Sequence, residues 1–395
     1  MSEIIDVIKR VVSKSVFYNS DVYQNATTIK ELPVLSKEEV FNHYREILVS
    51  DSSVFFTETS GSTGMPLKVA WNKSESYRSL SYLWKLRRKH NIKPTDFFLT
   101  CHTGFYHNSQ LVSLPVIVTT NSISLSKVCY SEDVLEHYKE QVEKFAPKWI
   151  FAQPSFVYYF GQYISKNAPE LASSIRYIEL VGELLLPEIR SEISSFFPNA
   201  SVVNMYGMQE FNGIFYEENG VFRIIRDNVF VEIINENGEE CSYGEEGDIV
   251  VTGLVNSHFP LIRYKTGDRG KRFASGDDDA YVITVGRSND LFSHNGKLYD
   301  GSLFFMVINE YNLSHKQPIS RFQVVHKNDT LFFHLFSLDS LPSEHCIESD
   351  LMEIMKSICD IVIDIVVIIQ KFDGIITSGN KIKYFISEQK TYERY

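Results

Sequence analysis

Positive charge is in short supply in this chain. Against 50 Asp and Glu residues stand only 39 Lys and Arg, a formal net charge of -11 over 395 residues. Holding a phosphate backbone takes a basic face, so nucleic acid is excluded as the main partner. Cysteine is scarce too: Cys101, Cys129, Cys241, Cys346 and Cys359 are an odd set with no C-x-x-C pair. Their spacing argues against structural zinc and leaves reduced core thiols of the cytoplasm as the expectation. Long apolar runs are missing as well. The longest, residues 361–370, is broken by Asp364 and falls short of the ~20 residues that span a bilayer. It reads as a buried strand, with no membrane partner. The opening Met1-Ser2-Glu3-Ile4-Ile5-Asp6 is acidic where a secretion signal is basic, so a cytoplasmic protein is expected. No internal repeat or low-complexity tract interrupts the chain.

What is there is enough apolar sequence for two or three domains. Ile4, Ile5, Ile8 and Val12 have helical spacing, and Ser36 with Glu39 forms a capping box that opens another helix. Residues 75–89 read as a helix with Tyr77, Leu80, Tyr82, Leu83 and Leu86 inward, and 96–100 as a strand. Val134, Leu135, Tyr138, Val142 and Phe145 mark a further amphipathic helix. The strand-like Trp149-Ile150-Phe151-Ala152 follows, then a helix starting at Pro154, then period-two alternation over 176–181. Helices alternating with strands define an α/β domain. Beyond about residue 213 strands dominate: 228–234 and 248–252 read as hairpin strands around the turn 235–238, and Gly276-Asp277-Asp278-Asp279 as a solvated turn. Past Asp290 a helix over 302–311, a hairpin of 321–327 with 330–336, a helix over 343–359 and a strand over 360–369 suggest a separate α+β unit. The expected architecture is therefore a large α/β domain with a β-rich subdomain over 1–289, and a small α+β domain over 290–395.

The most distinctive stretch is Thr59-Ser60-Gly61-Ser62-Thr63-Gly64-Met65-Pro66, entered from the apolar Val54-Phe55-Phe56. Four hydroxyls and two glycines can aim side-chain O–H and backbone N–H groups at one anion, most naturally a nucleotide phosphate. The glycines are too close together, and lack the following lysine, for a Walker A loop. Further along, Asn204-Met205-Tyr206-Gly207-Met208-Gln209-Glu210 offers a flat ring for a base in Tyr206 and a hard oxygen ligand for magnesium in Glu210. In Tyr264-Lys265-Thr266-Gly267-Asp268 the carboxylate can accept from both hydroxyls of a ribose.

These strings resemble those of the adenylate-forming, AMP-binding superfamily of acyl- and aryl-CoA synthetases. They match its [ST]-[ST]-G-[ST]-T-G-x-P, N-x-Y-G-x-T-E and Y-[RK]-T-G-D motifs in order, with Val181-Gly182-Glu183 similar to its G-G-E strand end. Gly286-Arg287-Ser288-Asn289-Asp290 resembles its G-R-x-D, and Ser378-Gly379-Asn380-Lys381 its terminal lysine loop. Ser15-Val16-Phe17-Tyr18 and the Leu32-Pro33 segment are similar to the phenylacetate-CoA ligase and capsule-biosynthesis branch. The resemblance implies nucleotide contacts from Thr59, Ser60, Gly61, Ser62, Thr63, Gly64, Gly182, Glu183, Asn204, Tyr206, Gly207, Gln209, Asp268 and Arg287. It implies catalytic roles for Lys381, with Lys383 second, and for Thr63 and Glu210, the latter on Mg²⁺, and a hinge at Asn289. It also implies an acyl pocket at His102, Phe105, Tyr106 and Gly182. ATP and Mg²⁺ are the implied cofactors and a small carboxylic acid the implied substrate. The acceptor would be CoA, a carrier-protein phosphopantetheine or an amine. Met65, Gln209 and Asn289 depart from the family pattern and keep open a nucleotide-binding protein without turnover.

Overall fold

In the computed structural model the described residues are 5, 8–9, 14–50, 52–58, 67–102, 116–127, 132–183, 185, 187–276, 278–285, 291–295, 297–300, 303–315, 319, 321–336, 341–369, 377–378, 381–382 and 385–387. Of the leading helix, Ile5, Ile8 and Lys9 are described, and all three are helical. The capping box closes: Ser36 Oγ accepts from Glu39 N at 3.2 Å while the Glu39 carboxylate accepts from Ser36 N at 2.8 Å. It starts the Lys37–Asn42 helix. Immediately before it, Leu35 exchanges backbone hydrogen bonds with Arg263 and Lys265, both 2.9 Å. The N-terminal segment is thereby tied to the strand that carries Asp268.

Among the described residues the central element is a 12-stranded sheet. One half is parallel: Ser201–Met208, Tyr177–Val181, Trp149–Ala152, Phe98–His102 and Ser122–Ser126 lie side by side, with Val116–Val118 antiparallel on the edge. The other half is an antiparallel series of Asn212–Glu218, Val221–Ile224, Asp278–Val285, Tyr264–Ser275, Glu246–Gly253 and Val229–Ile234. The two halves join where Ser201–Met208 pairs with Asn212–Glu218. The strand-rich stretch expected as a subdomain thus continues the α/β sheet through a reversal of strand direction.

Parallel strands buried on both faces need no alternation. Tyr177, Ile178, Glu179 and Leu180 are all buried, which corrects the period-two reading of this segment. Ile178 and Leu180 pack against the Pro154–Asn167 and Pro187–Phe196 helices, and Glu179 meets the Lys73–Lys89 helix on the opposite face. That helix is capped by Asn72, whose Oδ1 accepts from Ser74 N at 2.9 Å, and ends on Arg87, Arg88 and Lys89, cations that suit a helix C-terminus. Its buried stripe is Ser79, Leu83 and Arg87, while Tyr77 is 71% exposed. The inward placement of Tyr77 is therefore corrected. Arg87 sets the helical phase: Nε and Nη2 pair with the two Glu179 oxygens at 2.8 and 2.7 Å, and Tyr177 Oη donates to the same carboxylate at 3.0 Å.

From Phe292 onward a separate core forms under a 4-stranded sheet of Asp364–Ile369, Thr330–Phe336, Arg321–Lys327 and Phe385–Ser387, with the Leu303–Ser314 and Glu344–Cys359 helices. Asp360 ends the second helix at φ 53°, so the strand begins at Asp364 rather than at 360. There Ile365 and Val367 are buried while Asp364 and Val366 face solvent. This is an edge strand buried on one face only, where 361–370 reads in the sequence as a buried strand.

Arg87→Met is expected to leave the Glu179 carboxylate buried without its cation, costing about 3–5 kcal/mol. Urea unfolding should show a lower midpoint, and the Arg87→Met, Glu179→Met double variant should recover most of it. In the smaller core, His326 is buried, has neither ring nitrogen hydrogen-bonded among the described residues, and meets Phe292 edge-on at 5.1 Å. Burial lowers its pKa below the ordinary histidine value. The unfolded chain then binds more protons than the native one below about pH 6.5, so stability is lost as pH falls through that value. The slope of unfolding temperature with pH should flatten in His326→Leu.

Candidate active site

Sheet reversals and the C-terminal ends of parallel strands leave crevices that side chains cannot fill. Here the crevice is a cavity of about 870 Å³, lined by Gly182 and Glu183, by Asn204, Tyr206 and Gly207, and by Asp268. Three segments far apart in sequence thus converge, in a volume suited to a small-molecule ligand. Tyr206 Oη donates to Asp268 Oδ2 at 2.6 Å, and the Tyr206 ring lies 5.6 Å from that of Phe215. Asp268 is 3% exposed, and its N–H donates to Thr266 Oγ1 at 3.1 Å. Gly267, at φ 80°, supplies the left-handed residue that this bend in the strand requires.

Gly207 is required for a different reason. A Cβ there would stand 2.1 Å from the Asn212 carbonyl oxygen, so only glycine lets the two strands close at the register shift after Tyr206. The turn that follows carries Gln209 and Glu210. Gln209 is exposed, and its carbonyl accepts from Trp71 Nε1 at 3.0 Å. Glu210 is buried, with Oε1 accepting from Tyr264 Oη at 3.2 Å. Trp71 belongs to the hairpin of Val54–Glu58 with Lys68–Asn72, whose two strands flank Thr59, Ser60, Gly61, Ser62, Thr63 and Gly64. Those six residues lie outside the described ones, yet the roots of their loop are tied to the Gln209–Glu210 corner.

Glu183 is occupied structurally as well as lining the cavity. Its oxygens accept from Ser155 N at 3.0 Å and Ser155 Oγ at 2.9 Å, at the N-terminus of the Pro154–Asn167 helix, where a carboxylate is favoured. His102 ends the Phe98–His102 strand, shares a 2.9 Å hydrogen bond between Nδ1 and Ser124 Oγ, and is not among the residues lining the cavity. Phe105, Tyr106, Arg287, Asn289 and Lys383 lie outside the described residues. Lys381 pairs with Ser378 in the short hairpin of Thr377–Ser378 and Lys381–Ile382. Its side chain is likewise outside the description.

Two lining residues went unnoticed in the sequence, Arg190 and Glu217, which form an ion pair beside Asn204. No motif flags them. Only the cross-strand register of Met205 with Tyr216 sets Glu217 next to Asn204. His90 also lines the cavity, stacked on Tyr177 at 4.7 Å, and burial lowers its pKa. Among the described residues no group of three or more His, Cys, Asp or Glu could hold a metal ion, and no helix is long and apolar enough to cross a membrane.

This fold is that of the adenylate-forming ligases. A solved 2-hydroxyisobutyryl-CoA ligase in complex with 2-HIB-AMP and CoA, in the thioesterification state, covers 97% of this chain and 88% of its own, with a TM-score of 0.61 and 13% identity. The same ligase in its postadenylation state with R3-HIB-AMP gives a TM-score of 0.57 over 98% of this chain. At such identity the likeness concerns the fold alone. Sequence supplies the family: residues 2–257 match that of the AMP-binding enzymes, and the chain belongs to it. Protein CapK of Staphylococcus aureus is 24% identical over 64% of this chain and 58% of its own length. The phenylacetate-coenzyme A ligase of Thermus thermophilus is 22% identical over 62% and 57%. A D-alanine–D-alanyl carrier protein ligase of Listeria monocytogenes is 25% identical over 64% and 52%. The matched stretch thus spans little more than half of these curated relatives.

Gly207→Ala tests whether the corner it closes belongs to the ligand site. The variant should fold with a loss of about 1–3 kcal/mol from overpacking and bind ATP at least tenfold more weakly in equilibrium titration. Unchanged affinity would separate the Tyr206–Asp268 corner from the site.

Proposed function

We propose that the chain activates a small carboxylic acid with ATP, forming an acyl- or aryl-adenylate, and then transfers the acyl group to a thiol of CoA or of a carrier protein. The observation that carries this reading is the convergence of Gly182, Tyr206 and Asp268 on one cavity, with Tyr206 bonded to Asp268. The flat ring suits a base, and the buried carboxylate suits the paired hydroxyls of a ribose.

In the first half-reaction a carboxylate oxygen bonds to the α-phosphorus of ATP, and the bond to the bridging oxygen breaks. Pyrophosphate leaves with the electron pair. Two anions must approach, so most of the catalysis is positioning and neutralisation. Thr59 to Gly64 would cradle the phosphates, with the Thr63 hydroxyl among the donors, and Lys381 would meet the acid and the α-phosphate. Glu210, buried and bonded to Tyr264 Oη, does not line the cavity; the family resemblance alone would make it the one protein carboxylate on a magnesium ion, which takes one or two carboxylates and fills its shell with phosphate and water. The metal would neutralise charge on the phosphates. In the second half-reaction the acceptor sulfur attacks the acyl carbon and AMP leaves.

A mixed anhydride hydrolyses readily, so shielding it and then admitting a bulky acceptor favours a mobile small domain. The division at residue 289, with Asn289 as pivot, belongs to this proposal. A thiol acceptor is placed ahead of an amine.

ATP–pyrophosphate exchange with magnesium across aryl, fatty, hydroxy and amino acids tests the reading. Exchange with one acid class, lost in Lys381→Ala, is the expected result. ATP binding without exchange for any acid would favour a nucleotide-binding protein without turnover.

A further inference from the structure

We propose that Glu217 selects adenine over guanine at the inner end of the cavity, an inference that rests on the nucleotide-binding reading above. The strands Ser201–Met208 and Asn212–Glu218 pair from Met208 with Asn212 as far as Met205 with Tyr216, and then part. Glu217 bridges the gap below the last pair. Its Oε2 accepts from the Asn204 N–H at 2.9 Å and takes the Arg190 guanidinium, whose Nη1 also donates to Val202 O at 3.1 Å. Helix and both strands therefore hold this carboxylate in place.

The other oxygen, Oε1, has no hydrogen-bond donor among the described residues, and the Glu217 side chain keeps 14% exposure. Glu217, Arg190 and Asn204 line the same cavity as Tyr206 and Asp268. An anionic acceptor thus borders the ligand space, although no sequence motif contains it.

Its place relative to the nucleotide follows from the strand. Tyr206 and Asp268 mark the base and the sugar, and Asn204 and Glu217 stand two residues back along the same face, about 7 Å by strand rise. In the proposed pose a purine stacks on Tyr206 with its ribose at Asp268 and presents position 6 of its six-membered ring to Glu217. Adenine carries an amino donor on that ring, whereas guanine carries a carbonyl acceptor in the same place. A carboxylate facing position 6 only accepts, so it bonds the adenine amino group and repels the guanine carbonyl, whose ring keeps its own donors at the neighbouring positions 1 and 2. Arg190 is a positioning residue in this scheme.

The test is equilibrium titration of the full chain with ATP and with GTP, in the wild type, Glu217→Gln and Glu217→Ala. Wild type should prefer ATP, and in Glu217→Gln the ratio of the two affinities should fall by about tenfold. The glutamine is isosteric, keeps an acceptor for Asn204 N–H, and decides the matter if the alanine variant does not fold. Folded variants that keep the wild-type ratio, even with both affinities reduced, would make Glu217 a strand brace and overturn the proposal. If the wild type binds ATP and the ratio does not move, this inference alone fails. If the wild type binds neither nucleotide, the reading beneath it fails too.

Discussion

The Arg87–Glu179 pair is the constraint from which much of the large sheet's geometry follows. Both side chains are buried, and the guanidinium also stands over the rings of Trp84 and Trp149, 4.6 and 4.9 Å from their centroids. A charge in such surroundings is tolerated only when paired with good geometry, so the Lys73–Lys89 helix has one rotation and one height at which it can dock. That docking covers one face of the Tyr177–Val181 strand. The strand's end, Gly182, then enters the cavity from a fixed position.

The cavity itself is a product of topology. Where the parallel strands give way to the antiparallel series, Ser201–Met208 has a parallel neighbour on one side and an antiparallel one on the other. At one end of their short pairing the two strands close through the Gly207–Glu210 corner, and at the other they part and leave the gap that Glu217 and Arg190 occupy. Arg263, with φ 50° and a buried partner in Glu232, ties the N-terminal segment to the neighbouring strand through the Leu32 carbonyl. The strand bearing Asp268 is braced from outside the sheet.

Legibility in the sequence divided along physical lines. Elements defined by local chemistry are readable: the Ser36 and Glu39 capping box, the Pro154 helix start, the hairpin of 321–327 with 330–336 and the glycine-marked turns all depend on neighbours within a few residues. Tyr77 was placed on the wrong side of its helix because a distant carboxylate, Glu179, sets the phase, and a buried arginine reads as a surface residue in any periodicity. The alternation expected over 176–181 dissolved because helices cover both faces of that strand. The same distance in sequence hid Glu217 and Arg190.

By itself the sequence determined which residue types were available for binding an anion, a base and a sugar, and in what order along the chain they occur. Strong local preferences carry that much: glycine for tight corners, hydroxyls for phosphate, a carboxylate after a left-handed glycine. Only the tertiary structure decided that Gly182, Tyr206 and Asp268 share one cavity while His102 turns to Ser124 instead. Strand order and register are set by non-local hydrogen bonds and by burial on both faces, and these exist only once the sheet has formed.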